Sequence, residues 1–218
     1  MSYTNPTKTV GQIYDYVKRA FGDESGVQLT NDDIVRWIND AQNEIAEAAG
    51  VIPSVATIPI TAGTYTYSLA GVTPLINDVA SLSLNGRRIG NINIAQAEES
   101  ISLADPEFTE TGAPQFWYTW AGDITLWPKP DKDYTMTIRY FAKPTDVTTT
   151  VTDVLSVPDD CFTDVVNYVL MRAYEMDENP EMMAAKQAEF ANSIAERGQS
   201  EMLGQTMTYE KGTVYELI

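Results

Sequence analysis

The apolar residues of this chain change period twice. Val10, Ile13, Val17 and Phe21 recur at helical spacing, as do Ile34, Ile38, Ala41, Ile45 and Ala48. From Ile58 to Tyr140 the apolar residues instead alternate with polar ones, as strand side chains do on the two faces of a sheet. After Pro158 the helical spacing returns, through Phe162, Val165, Val166, Val169, Leu170 and Ala173, then Met183, Phe190, Ala191 and Ile194. Neither terminal helical segment can bury its stripe alone. The pattern predicts an α+β fold: a helical bundle from N- and C-terminal hairpins, an inserted β-sandwich or barrel module, and an extended C-terminal arm. The expected divisions are 1–53 with 157–197 for the bundle, 54–156 for the β insertion and 198–218 for the arm.

Local signals set the boundaries. Thr9 with Gln12 reads as a capping box, and Gly22 as the stop of the first helix. Thr30 and Asp33 open the second helix, which Gly50 and Pro53 close. In the middle, Ala62-Gly63, Asn85-Gly86 and Gly122-Asp123 mark turns between short strands, Asn85-Gly86 being the strongest hairpin signal. Residues 95–103 read as a short helix and 105–114 as a loop. Thr145 to Ser156, rich in Thr and Asp, reads as the linker back. Asp159 and Asp160 stand where a helix dipole favours negative charge, Asn179-Pro180 reads as cap and first-turn proline, and Gly198 reads as the stop of the last helix.

The segment from Gln199 to Ile218 shows no helical stripe, yet it carries Met202, Leu203, Met207, Tyr209, Val214, Tyr215, Leu217 and Ile218. Disordered tails usually lack such residues. The expectation is an extended arm that orders against a partner, the other reading being a strap across its own domain.

Composition narrows the chemistry. The 218 residues contain no His and one cysteine, Cys161, which excludes Ser-His and Cys-His nucleophile systems, zinc fingers and disulfide frameworks within the chain. The formal charge is −17, with 14 Lys and Arg against 31 Asp and Glu. Acids outnumber bases in each of residues 1–52, 53–157, 158–197 and 198–218. Such a chain does not grip DNA by neutralising phosphates, but it could line a path along which DNA slides. No apolar run approaches the ~20 residues of a membrane span. The start MSYTNPTKTV has no apolar core of a secretory signal, so the expectation is a soluble protein made in a reducing cytoplasm.

Three candidate chemistries remain. Asp32-Asp33, Glu98-Glu99 and Asp159-Asp160 could serve acid-base work, but neighbours on a helix do not face each other, two of the pairs sit at helix starts, and capping and solubility explain them better. Trp117, Trp120 and Trp127, with Tyr118, Tyr134 and Tyr140, could form a sugar-binding platform or a protein hot spot. Trp117 and Trp120 differ by three, so a regular strand places them on opposite faces, and core packing is the favoured reading. A lowered thiol pKa is conceivable for Cys161 near a helix start, but without His a structural role is favoured.

Three stretches resemble the head-to-tail adaptor (connector) proteins of tailed bacteriophages: DDIVRWINDAQNEIAEAAG at Asp32–Gly50, ITLWPKPDKDYTMTIRYFAKP at Ile124–Pro144, and SVPDDCFTDVVNYVLMRAYEMDENPEMMAAKQAEFANSI at Ser156–Ile194. The order of elements matches as well. The resemblance implies a non-enzymatic structural subunit without cofactor. It would form a homo-oligomeric, twelve-fold ring beneath the portal protein, in the virion neck, after assembly in the host cytoplasm. The ring would meet the next neck or tail protein and let DNA pass through its lumen without specific binding. The C-terminal arm is similar to arms that reach onto the portal. Two alternatives stand beside it. A carbohydrate-binding tail protein would use a Trp-rich β-sandwich, and a glycosidase would need two acids about 5–10 Å apart.

Overall fold

The computed structural model describes residues 6–95, 97 and 109–212, with residues 199–212 described by their backbone. The chain divides into two compact units, one formed by the chain up to Ile52 and from Lys143 onward, the other by Pro53–Ala142.

In the helical unit, α1 (Val10–Phe21) starts at a capping box: the Gln12 N–H donates to Thr9 Oγ1, and the Thr9 N–H donates to Gln12 Oε1. Its stop, Gly22, is left-handed at φ 88°. α2 (Asn31–Ala49) is capped by Thr30, whose side chain accepts from the Asp33 N–H, and ends at Gly50 with φ 56°. The connection between them is organised by Asp23. Its carboxylate accepts from the backbone N–H groups of Val27, Gln28 and Leu29 and from the Ser25 hydroxyl. These bonds, led by that from Leu29, hold the Asp23 carboxyl down at about 2.

A 3₁₀ turn, Asp159–Cys161, leads into α3 (Phe162–Met176), and α4 (Pro180–Gly212) follows. α3 is the hub and packs against α1, α2 and α4. Val165, Val166, Val169, Leu170 and Ala173 are buried on it. They meet Val10, Ile13 and Val17 of the first stripe and Ile34, Ile38, Ala41 and Ile45 of the second in one core. Each such Val, Leu or Ile side chain contributes roughly 1.5–3 kcal/mol when fully buried.

Residues 143–157 belong to this core. Val147, Leu155 and Val157 are buried. Asn39 holds Val147 by two bonds, its Nδ2 donating to the Val147 carbonyl and its Oδ1 accepting from the Val147 N–H. Fully buried Gln42 accepts from the Ser156 N–H at 2.6 Å. The Gly11 N–H donates to the Val151 carbonyl, and a Cβ at Gly11 would stand 2.9 Å from that oxygen. The stretch that reads as a linker is therefore a strap, fixed by side-chain amides that sequence pattern does not reveal.

The β unit is one curled seven-stranded sheet, a half-barrel rather than two stacked sheets. Its strands are β1 (Pro53–Ile60), β2 (Thr66–Ser68), β3 (Ile76–Leu84), β4 (Arg87–Asn91), β6 (Phe116–Trp120), β7 (Asp123–Trp127) and β9 (Tyr134–Ala142), in the order β1-β9-β3-β4-β6-β7-β2. β5 (Thr111–Gly112) and β8 (Lys129–Pro130) pair separately. Ladders are antiparallel except β4 with β6 and β5 with β8. Along β9, Met136, Ile138, Tyr140 and Ala142 are buried in alternation, and Leu84 and Leu82 of β3 stand opposite Met136 and Ile138. Asn85 and Gly86, both at positive φ, make the β3–β4 turn as Asn-Gly predicts. The first and last strands are neighbours, Pro53 lying opposite Phe141.

The helix expected at 95–103 and the loop expected at 105–114 lie partly outside the described residues; residues 95 and 97 are helical, and β5 occupies Thr111–Gly112 within the expected loop. More consequentially, α4 does not stop at Gly198, and residues 199–212 are helical rather than extended. Gly22 and Gly50 end their helices in the left-handed conformation, which Gly198 does not adopt. Glycine inside a helix costs about 1 kcal/mol relative to alanine, but a helix already nucleated by packing propagates through it.

Two outcomes are expected. Asp23→Asn should lower stability at neutral pH and flatten its loss in acid. A carboxyl held below its unfolded value stabilises above pH ~4 and loses that contribution as pH falls toward ~2, so denaturant titrations across that window check it. Replacing Pro53–Ala142 by a short linker should leave a soluble chain with helical far-UV circular dichroism, because β1 and β9 begin and end side by side.

Candidate interaction surfaces

Where α4 crosses the other helices, its attachment is uneven. Phe190 is buried and meets the Tyr168 ring edge-on, with centroids 5.2 Å apart. Lys186 Nζ donates to Asn167 Oδ1 at 3.3 Å and pairs with Glu189. Near the end of this contact stands Arg197. Its Nε donates to Asp164 Oδ2 at 2.9 Å, its Nη1 to Asp160 Oδ2 at 2.8 Å, and its Nη2 to the Asp160 carbonyl at 2.6 Å. Asp164 is only 3% exposed, so this pair is a buried charge and its partner. Met182, Ala184, Ala185, Ala188, Ala191 and Ala195 are exposed on the same helix.

The arm residues fall into two groups. Met202, Leu203, Met207 and Tyr209 lie on the helical backbone of α4, so they follow a helical and not an alternating repeat. Val214, Tyr215, Leu217 and Ile218 lie outside the described residues.

Three of the six acids in the candidate pairs are committed to local structure. Asp33 accepts from the Thr30 hydroxyl and pairs with Arg36 at 3.0 Å. Asp159 accepts from the N–H and hydroxyl of Thr7 and from the Lys8 N–H, bonds that hold its carboxyl below the ordinary value. Asp160 takes Arg197. Glu98 and Glu99 lie outside the described residues. Among the described residues no group of three His, Cys, Asp or Glu could hold a metal ion, and no helix is long and apolar enough to cross a membrane.

Cys161 is fully buried, and burial pushes its thiol up to about 12, the opposite of an activated nucleophile.

The aromatic set is dispersed. Trp117 is 2% exposed and Trp120 is 64% exposed, on opposite faces of β6. Phe116 stacks on half-buried Trp127 at 6.3 Å. Tyr140 is buried and donates to the Pro74 carbonyl, and Tyr134 donates to Asp131, which raises its hydroxyl to about 12. No shared platform forms from these residues, and the carbohydrate-binding reading falls with it.

Pattern reading missed Arg197, Asp164, Asn39 and Gln42. The one available signal was Arg197 itself, one of only three basic residues in the acidic stretch 158–197.

Its burial keeps the Cys161 thiol away from solvent. A thiol reagent should therefore label Cys161 only at the rate of unfolding, checked by stopped-flow labelling with and without denaturant. Fast labelling of native protein would contradict its burial.

A family model described as SU10 adaptor protein matches residues 8–210. No curated protein matches the chain.

Proposed function

The chain belongs to the SU10 adaptor family, a phage head–tail adaptor family of structural proteins, and from that membership we propose that it forms a ring between the portal and the tail and extends the DNA channel. The family match over residues 8–210 carries this reading, because it spans both helical segments and the β unit together. The ring is twelve-fold and sits in the virion neck, with the portal protein above it and the next neck or tail protein below. It assembles in the host cytoplasm.

The charge supports a channel lining. At −17 per chain, a ring of many copies presents a negative lumen that repels phosphates and lets DNA slide. The portal contact is the arm, with Met202, Leu203, Met207, Tyr209, Val214, Tyr215, Leu217 and Ile218 as its apolar residues. Many arms engage at once, so a weak single contact suffices in a ring.

Mixing the purified chain with isolated portal rings and imaging the product tests this. We expect rings seated on portals for the full chain. A chain lacking Gln199–Ile218 should keep its helical signal and fail to assemble. Normal assembly by the truncated chain would move the anchor to the helical bundle, and absence of any complex with the full chain would overturn the adaptor placement.

A further inference from the structure

We infer that Arg197 and Gly198 form a clamp that fixes the direction in which the C-terminal helix leaves the bundle, which makes Arg197 the positioning residue of the portal-binding arm. The inference deepens the adaptor reading and rests on it for the identity of what the arm meets.

Three observations converge on one turn of α4. First, Arg197 is held from three directions by three separate donors, one to the buried Asp164 of α3 and two to Asp160 in the turn before it. A guanidinium fork held this way fixes orientation as well as position, which an ammonium cannot do. Second, the next residue, Gly198, lies against the end of α2, where an added Cβ would stand 3.6 Å from the Ala48 carbonyl oxygen. That is ordinary contact for a methyl group, and a larger side chain there would have to extend past that carbonyl. Third, α4 continues to Gly212 without a left-handed break. Fourteen helical residues extend about 21 Å at 1.5 Å per residue. A small rotation at Arg197 is therefore multiplied along the arm. Phe190 against Tyr168 and Lys186 with Asn167 hold the earlier turns, and among the described side chains Arg197 is the last anchor before residues 199–212.

Pairs of spin labels at Asn43→Cys and Gln205→Cys test the clamp in the whole chain. Asn43 is exposed on α2, and buried Cys161 does not compete for the label. The distance distribution should be narrow in the otherwise unaltered chain. Arg197→Lys keeps a charge beside Asp164, so the fold survives, as a cooperative thermal transition would verify. Its distance distribution should broaden at least twofold, and its assembly on portal rings should drop tenfold or more. Gly198→Ala should match the parent distribution, and Gly198→Leu should shift its mean. A narrow, unshifted distribution in Arg197→Lys would overturn the clamp, as would a broadened one with undiminished assembly. If the parent chain itself does not bind portals, the adaptor placement fails, and the distance measurement still decides the clamp.

Discussion

Helix α3 is apolar over too much of its surface to stand in water, and the helical unit is organised around covering it. Val165, Val166, Val169, Leu170 and Ala173 are buried, and so is Cys161 just before it. α1, α2 and α4 each pack on this helix, so helices from both ends of the chain share one core. That shared core requires the intervening residues to leave and return at nearby points. The β unit meets the requirement because its first and last strands are paired, Pro53 opposite Phe141. An insertion with adjacent ends adds little constraint to the host core.

Polar side chains then fix what hydrophobic burial leaves loose. Apolar contact is non-directional, so it cannot by itself hold a strap or a loop in one conformation. Asn39 and Gln42 on α2 bind the backbone of residues 147 and 156. Asp159 ties residues 7 and 8, and Asp23 closes the loop before α2. A backbone N–H that is buried needs an acceptor, and each of these groups supplies one. The same acids account for part of the negative charge of the chain, so its charge and its local order are partly one property.

What the sequence revealed followed from periodicity and caps. The Thr9 and Thr30 starts, the Gly22 and Gly50 stops, the Asn85-Gly86 turn and the opposite faces of Trp117 and Trp120 all depend on residues within four positions of each other. The strap, the curl of the sheet into a half-barrel and the Arg197 contacts join residues more than thirty positions apart, and no local pattern encodes such pairings. Gly198 marks the limit of the local rules. Glycine permits a left-handed cap but does not impose one, and here the residue lies inside a continuing helix, in ordinary contact distance of the end of α2.

The change from an extended arm to a helical one alters the energetics of assembly. An extended segment of some twenty residues loses about 1–2 kcal/mol of backbone conformational freedom per residue on docking. A helix that continues from a packed segment has met the nucleation cost within its own chain. Its remaining loss on binding is that of side chains and of residual fraying, to which Gly204 in its interior contributes. In the proposed assembly Met202, Leu203, Met207 and Tyr209 are carried on a helix, for which a groove is the natural receptor. Direction becomes the controlling variable, since a helix that points away from its groove gains nothing from being ordered. The place where direction is set is the turn containing Arg197, whose partners Asp160 and Asp164 belong to the beginning of the hub helix and the turn before it. Core burial and arm placement therefore meet in the same few residues.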